Sequence, residues 1–233
     1  MSDILMVVDH ASNHVPADID LGIAPDLMDT HIAWDIGAAP LAEALGFPTH
    51  LATVSRLVID LNREADAPGL VPLTSDGHPI PGNPGNVADR VARFYRPYHA
   101  SLAARIARER PALLVSLHSF TPQLGNVAEP RPWEIGVLYN NDDRAARIAL
   151  PLLAQDGVIV GDQQPYSGKV LNATMNRHGE ATGTPYLGLE VRHDLIAGEA
   201  GVAAWAPRLR PVIVACAAAM ALSSQALLSP CRR

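Results

Sequence analysis

The chain has 233 residues, of which 48% are hydrophobic and 18% charged, and its formal net charge is −6. This length and composition are typical of one globular domain over residues 1–233 and exclude a largely disordered chain. The acidic balance provides no basic surface for nucleic acid or an anionic membrane, so we expect neither as a partner.

The two ends of the chain lack the patterns of export and membrane insertion. The N-terminus enters the apolar run Ile4–Val8 directly, which is too short for a signal peptide. Prolines and polar residues interrupt the apolar stretch 211–230, so we expect a buried terminal helix there. Cys216 and Cys231 have the spacing of neither a disulfide framework nor a thiolate metal site. Together these features predict a cytoplasmic protein.

Short apolar runs alternate with helical patterns along the chain. The runs predict strands at Ile4–Val8, Leu57–Ile59, Ala112–Leu117, Ile135–Tyr139, Val158–Val160 and Tyr186–Val191. The helical patterns lie at Gly37–Leu45, ended by Gly46, at 86–108, with Asn86 as N-cap and a kink at Pro97, at Asp142–Leu153 and at Val202–Leu228. This alternation predicts an α/β fold, a mostly parallel sheet between two layers of helices.

The segment between Glu64 and Gly85 is rich in proline and glycine and has neither a helical nor a strand period. Structureless loops of this length are uncommon in compact domains and are often functional. We expect a lid or a substrate-facing loop, and a disordered insertion fits the sequence equally well.

Polar side chains follow the predicted strands at the positions where an open parallel sheet binds its ligands, beyond the carboxyl ends. These residues are Asp9, His10, Asn13, His14, Ser55, Arg56, Asp60, Asn62, Arg63, His118, Ser119, Asn140, Glu190 and Arg192. We therefore expect histidine, carboxylate and arginine to converge on one edge of the sheet.

Two of these histidines, His10 and His118, predict a metal site. A catalytic zinc ion takes three protein ligands and leaves a position for water, and histidines at two strand ends with a nearby carboxylate match this requirement. A single histidine is more often structural, so the strand-end positions carry the prediction. Asp35 is the candidate acidic ligand, and its alternative role is to cap the following helix.

The arginines near the second predicted strand indicate an anionic substrate. Arginine binds carboxylates through a planar fork, and Arg56 and Arg63 lie on either side of that strand. The alternative is that Asp60 pairs with one of them inside the fold. Glu190 lies within an apolar strand, where it is structural if it pairs with Arg192 and a general base if it lies near a metal.

Five segments together resemble a known family, the N-formylglutamate amidohydrolases. They are Asp9-His10-Ala11-Ser12-Asn13, residues 31–38, residues 55–63, Ser116-Leu117-His118-Ser119-Phe120 and residues 189–196. The resemblance spans nearly the whole chain, and more distantly the pattern is similar to zinc carboxypeptidases and aspartoacylases. It implies a single-domain, three-layer α/β/α fold with a mixed, mostly parallel sheet of the phosphorylase/hydrolase-like type. The first segment has Asp-His-Ala-Ser where characterised members carry Pro-His-Ser-Gly, which is typical of a separate branch.

This resemblance implies one zinc ion bound by His10, Asp35 and His118. It also implies that Glu190 is the base that activates water and that Arg56 stabilises the oxyanion. The implied reaction is hydrolysis of a small N-acyl amino acid, with N-formyl-L-glutamate, cleaved to L-glutamate and formate, as the best candidate. A deacylase of other acyl specificity and a non-catalytic small-molecule binding domain are the alternatives.

The implied substrate is a small anion, and Asn62 and Arg63 are its expected carboxylate clamp. Ser119, Arg192 and His178 are further candidates for substrate binding. A metal-free serine hydrolase that uses Ser119 beside His118 is disfavoured, because the chain has no Gly-x-Ser-x-Gly motif and adjacent strand residues point to opposite faces.

Overall fold

A mixed sheet forms the centre of the computed structural model, which describes residues 3–125, 127 and 129–228. The strands are β1 Ile4–Val8, β2 Thr49–Leu51, β3 Thr74–Ser75, β4 His78–Pro79, β5 Leu113–Phe120, β6 Ile135–Leu138, β7 Val160–Asp162 and β8 Tyr186–Arg192. Strands β3 and β4 form a hairpin of their own, and the remaining six, among the described residues, pair in the order β2-β1-β5-β8-β6-β7. Cys231, included in the cysteine prediction, lies outside the described residues.

The direction of each strand determines which residues share an edge of the sheet. Strands β2, β1, β5 and β8 run parallel, whereas β6 is antiparallel to β8 and parallel to β7. The predicted mixed, mostly parallel sheet is therefore confirmed. Because β6 is reversed, Asn140 lies at the opposite edge, where its N–H donates to the hydroxyl of Tyr186 at 2.7 Å. The prediction that Asn140 joins the other polar residues is wrong.

Helices cover both faces of the sheet, as predicted. They are α1 Ala38–Leu45, α2 Val87–Arg90, α3 Arg96–Glu109, α4 Arg144–Gln155, α5 Ala173–His178 and α6 Glu199–Leu228. Helices α1, α4 and α6 pack on the face that carries Met6 and Val115. Leu102 of α3 and Met175 of α5 pack on the other face, against Leu5. Each fully buried aliphatic side chain of this kind contributes ~1.5–3 kcal/mol.

Helix α6 packs inside this architecture. The part Glu199–Ser223 is long and apolar enough to cross a membrane by length and composition alone. Its Trp205, Leu209 and Ile213 are buried in the core shared with α1 and α4. The apolar side chains of α6 therefore pack in the core of the protein, and the prediction of a buried terminal helix is confirmed.

The predicted strand Leu57–Ile59 is wrong, because this segment forms a turn. Its side chains are buried, but its carbonyls accept hydrogen bonds from side chains and not from a neighbouring strand. Asn83 donates to the carbonyl of Leu57 at 2.9 Å, and the buried Arg90 donates to that of Val58 at 2.9 Å. An apolar run in the sequence indicates that a segment is buried, but it does not indicate which groups form hydrogen bonds with the backbone of that segment.

A π-helical turn, Val91–Tyr95, connects α2 to α3. The sequence predicted a kink at Pro97, but this proline lies in the first turn of α3. A proline ring clashes with the carbonyl four residues before it in an α-helix, and the wider preceding turn accommodates it.

The 64–85 segment is ordered in the structure and does not form a structureless insertion. The hairpin β3–β4 lies within it, and Leu70, Val71 and Ile80 are buried. Apolar side chains distributed along the segment therefore fix its path, although their spacing follows neither secondary-structure period.

Candidate active site

A cavity of about 350 Å³ opens at the edge where β1, β5 and β8 end. The structure brings together at this cavity eight of the predicted site residues, namely His10, Asp35, Arg56, Asn62, Arg63, His118, Ser119 and Glu190. It does not bring Arg192 or His178 to the lining.

His10 is the second residue after β1 and is 3% exposed. Its Nε2 lies 2.7 Å from Oδ1 of Asp60, which fixes the ring orientation. Its Nδ1 lies 3.4 Å from Oδ2 of Asp35, and it has no hydrogen-bond partner among the described residues. A buried ring nitrogen of this kind is costly unless a further group occupies the space in front of it.

His118 lies on β5, opposite Glu190 of β8 in the sheet register. Its Nδ1 is 2.8 Å from Oδ2 of Asp35, and its Nε2 is 3.1 Å from the hydroxyl of Ser116 and 3.7 Å from Oδ2 of Asp9. The hydroxyl of the neighbouring Ser119 donates to the carbonyl of Ile36 at 2.8 Å. Ser119 and His118 therefore do not form a nucleophile–base pair.

Asp35 reaches the two histidines because the chain turns sharply before α1. Gly37 has a φ of +80° as the N-cap residue of this helix, and a Cβ there would lie 2.2 Å from the carbonyl oxygen of Ile196. Only glycine tolerates both conditions. The carboxylate of Asp35 accepts hydrogen bonds from Arg56 and from the N–H of Ser119, both at 3.3 Å, and it does not cap the helix.

His10, Asp35 and His118 form a buried group that suits a metal ion. One ligand atom from each residue lies within 4.8 Å of the other two. Two imidazole nitrogens and one carboxylate oxygen are a donor set typical of catalytic zinc, and a cation there would satisfy the unpartnered Nδ1 of His10. Asp60 lies behind His10 and Asp9 behind His118, the carboxylate–histidine arrangement that orients metal ligands.

The charges in this cluster compensate one another. Burial alone would raise the pKa of Asp35, but the positive charges of His10 and His118, with the hydrogen bond from His118, hold it well below its usual range. Burial likewise opposes ionisation of Asp60, whose pKa is held low by His10 and Arg56. Asp35 and Asp60 are therefore ionised at neutral pH, as a ligand and its supporting group must be.

Glu190 differs from Asp35 and Asp60 because no side chain of the described residues pairs with it. It is 8% exposed, lines the cavity and makes no hydrogen bond or ion pair with the described residues. Burial raises its pKa to about 7, against the opposing charge of His118. Arg192 pairs with Asp194 at 2.8 Å and not with Glu190. The arrangement is typical of a general base and not of a structural ion pair.

The two arginines occupy different positions. Arg56 bridges the cluster, with one terminal nitrogen 3.3 Å from Oδ1 of Asp35 and the other 3.3 Å from Oδ2 of Asp60. Arg63 contacts Oδ2 of Asp60 only through its Nε, at 3.3 Å, and its side chain is 37% exposed at the cavity. Asn62 accepts the N–H of Thr174 at 3.0 Å. Arg63 is therefore the freer of the two cations.

Some residues that line the cavity were not predicted from the sequence as site residues. The hairpin turn of the 64–85 segment contributes Ser75, Asp76 and Gly77, as expected of a substrate-facing loop. Oδ2 of Asp76 accepts the N–H of Gly125 at 3.0 Å and lies 3.0 Å from Nε2 of His31, which joins three loops at the rim. A polar residue in a proline- and glycine-rich loop gives no sequence signal for such a contact.

A family model for N-formylglutamate amidohydrolase matches residues 2–197. The chain belongs to the N-formylglutamate amidohydrolase family. It is therefore an amidohydrolase, as the sequence resemblance implied, and the converged site lies within the matched residues. A search of curated proteins gives no match.

Two solved structures are similar to this member of the family. A gene product of Agrobacterium tumefaciens, Atu2144, is 31% identical with a TM-score of 0.87, and the alignment covers 94% of this chain and 92% of that one. An N-formylglutamate amidohydrolase from Ralstonia eutropha JMP134 is 22% identical with a TM-score of 0.70 and 95% coverage of both chains. The second likeness concerns the fold alone, and both agree with the α/β architecture described above.

Proposed function

We propose that this amidohydrolase binds one zinc ion through His10, Asp35 and His118 and hydrolyses N-formyl-L-glutamate to L-glutamate and formate. The observation that carries the proposal is the buried triad whose His10 Nδ1 lacks a hydrogen-bond partner among the described residues, with the unpaired Glu190 at the same cavity. When bound, zinc supplies a Lewis acid that polarises the amide carbonyl and lowers the pKa of water.

Glu190 is the proposed general base. Its carboxylate removes a proton from the attacking water and passes that proton to the leaving nitrogen as the C–N bond breaks. The water oxygen stays on the formyl carbon, so the products are formate and the free amine. A pKa near 7 suits both transfers, because the group accepts and releases a proton at neutral pH.

Arg56 is the proposed stabiliser of the negative charge that develops on the amide oxygen. A guanidinium has five N–H donors, and the described contacts of Arg56 use one on each terminal nitrogen, to Asp35 and Asp60. The remaining donors are held rigidly by these two bonds at the cavity. A preorganised donor of this kind stabilises an oxyanion without reorganisation during the reaction.

Arg63 and Asn62 are the proposed clamp for the substrate carboxylate. Arg63 keeps both terminal nitrogens free of the described residues, and the side-chain N–H₂ of Asn62 is likewise unused. A planar fork beside an amide donor suits a carboxylate. Ser119 lines the same pocket, whereas Arg192 and His178 take no part in this proposal.

A release assay for free amine tests the reaction and its substrate. The substrates are N-formyl-, N-acetyl- and N-succinyl-L-glutamate, each with and without a chelator and with zinc restored. We expect the formyl compound to have the highest kcat/KM and the chelator to abolish turnover reversibly. Turnover that persists after complete metal removal contradicts the zinc proposal, and a preference for another acyl group contradicts only the substrate assignment.

A further inference from the structure

A second cavity, of about 610 Å³, lies between the start of α3 and the end of α5. The residues that define it here are Tyr95, Arg96, His99, Arg177 and His178. None of the described residues that line it is acidic, although the chain as a whole carries a net charge of −6. The site described above does not include any of these five residues.

His99 and His178 form a buried pair at this cavity. Nδ1 of His99 lies 2.9 Å from Nε2 of His178, and the rings stack with centroids 5.2 Å apart. Nε2 of His99 lies 3.0 Å from the carbonyl oxygen of Leu61, which accepts and cannot donate. Burial lowers the pKa of each histidine to about 4, so both rings are neutral at pH 7.

These contacts determine the tautomers of both rings. Because Leu61 accepts, Nε2 of His99 carries the proton and its Nδ1 is an acceptor. Nε2 of His178 must then donate to that Nδ1, which leaves Nδ1 of His178 as an unprotonated acceptor. This last nitrogen has no hydrogen-bond partner among the described residues. The cavity therefore offers a neutral hydrogen-bond acceptor.

The two arginines supply positive charge to the same cavity. Neither Arg96 nor Arg177 forms an ion pair with a residue in the described part of the chain. The guanidinium of Arg177 stacks over the ring of Tyr95, 5.2 Å from its centroid, which restricts its orientation. The cavity thus combines two uncompensated cations with one acceptor, His178.

We propose that this cavity binds a small amino or hydroxy acid. The carboxylate of the ligand pairs with Arg96 and Arg177, and its ammonium or hydroxyl group donates to Nδ1 of His178. A simple carboxylate lacks the donor that this acceptor requires and is bound more weakly. The site is independent of the amidase reaction proposed above, and it gives His178 a different ligand.

Histidine-selective ¹⁵N labelling and NMR of the full chain test this proposal at pH 7 and constant ionic strength. The probes are L-glutamate, 2-hydroxyglutarate and glutarate, and glutarate differs from 2-hydroxyglutarate only in lacking the hydroxyl donor. We expect saturable shifts of the His178 and His99 imidazole resonances with the first two acids, and binding about tenfold weaker for glutarate. Equal affinities for all three acids, or no saturable shift with any, overturn the proposal.

Arginine variants separate this cavity from the first one, where Arg63 also attracts carboxylates. Arg96→Ala and Arg177→Ala should each weaken the L-glutamate effect on His178 by about tenfold or more. Arg147→Ala removes an arginine that pairs with Asp143 on the surface and should change nothing. Arg96 is exposed, so its variant is expected to fold even if that of Arg177 does not. Unchanged L-glutamate affinity in Arg96→Ala contradicts the site.

Discussion

Among single residues, two carboxylates orient the histidines of the site, each on the side of the ring that faces away from Asp35. Asp60 contacts Nε2 of His10, and Asp9 lies behind His118 while accepting the hydroxyl proton of Tyr98 at 2.6 Å. Each supporting carboxylate leaves the opposite ring nitrogen directed at Asp35. The geometry of the proposed metal ligands therefore depends on residues that do not themselves belong to the triad.

The variant Asp60→Asn should weaken zinc binding by about 10- to 100-fold, because the amide supports the His10 ring less strongly than a carboxylate does. A chelator-competition titration measures the zinc Kd without reference to turnover. Asp18→Asn is the control, since Asp18 pairs with Arg93 at the surface. An unchanged zinc Kd in Asp60→Asn would mean that the contact to His10 has no role in orienting the ligand.

The variant Glu190→Gln should retain zinc and lose about 10²–10⁴ in kcat, because the amide is isosteric but cannot accept the water proton. Glu43→Gln, an exposed change on α1, is the control and should keep full activity. Zinc content and amine release are measured on the same preparations. Near-normal turnover of Glu190→Gln would exclude this residue as the base.

The pH dependence of kcat/KM should report the same carboxylate. Burial raises the pKa of Glu190 to about 7 in the protein without metal, and a nearby cation lowers it. Because the base must be deprotonated, activity should rise with pH through an apparent pKa of about 5–7 and should not fall as pH increases over this range. A pH–rate profile between about pH 4 and 9 tests this, and a flat acidic limb would contradict it.

At the scale of elements, two turns bring the site together. The turn at Gly37 carries Asp35 to the histidines, and the segment after β2 carries Arg56 and Asp60 beneath them. The backbone of Gly37 is confined both by its φ of +80° and by the carbonyl of Ile196. This packing couples the position of Asp35, the proposed acidic ligand, to the turn that follows β8.

The variant Gly37→Ala should therefore destabilise the fold more than an ordinary glycine replacement. Gly157→Ala is the matched control, because Gly157 has a φ of +76° but no atom within 4 Å of the position that a Cβ would occupy. We expect a loss of about 1–2 kcal/mol in the control and at least about 2 kcal/mol more in Gly37→Ala. Urea unfolding measures both, and equal losses would contradict the proposed close contact.

The sequence predicts the helices and strands that have a clear hydrophobic period. It does not predict segments whose backbone is fixed by hydrogen bonds from distant side chains. Helix α1 and its end at Gly46 follow from local pattern, and so do β1 and β5. The apolar run Leu57–Ile59 predicts a strand but forms a turn, because Asn83 and Arg90, distant in sequence, satisfy its carbonyls. No local signal specifies such partners.

Site residues can be predicted where a chemically suitable side chain follows a strand. They cannot be predicted where the direction of that strand in the sheet determines which edge the side chain reaches. His10 and His118 follow from their positions after apolar runs. Asn140 has the same pattern but lies at the other edge, because the direction of β6 depends on a long-range pairing. His178 resembles a loop ligand in sequence, yet it pairs with His99 in the second cavity.

At the scale of the whole molecule, family membership and fold agree with the amidohydrolase chemistry. Two layers of helices bury the sheet between them, and the polar residues at the ends of β1, β5 and β8 meet at one edge of it. The proposed zinc ion would lie at this edge.

Zinc content of the purified chain, compared with that of His118→Ala, is the decisive measurement for this site. Elemental analysis after dialysis against metal-free buffer should find about one equivalent of zinc in the natural chain, and the variant should have lost most of it. Less than about a tenth of an equivalent in the natural chain, with no uptake when zinc is added, would mean that His10, Asp35 and His118 do not form a zinc site.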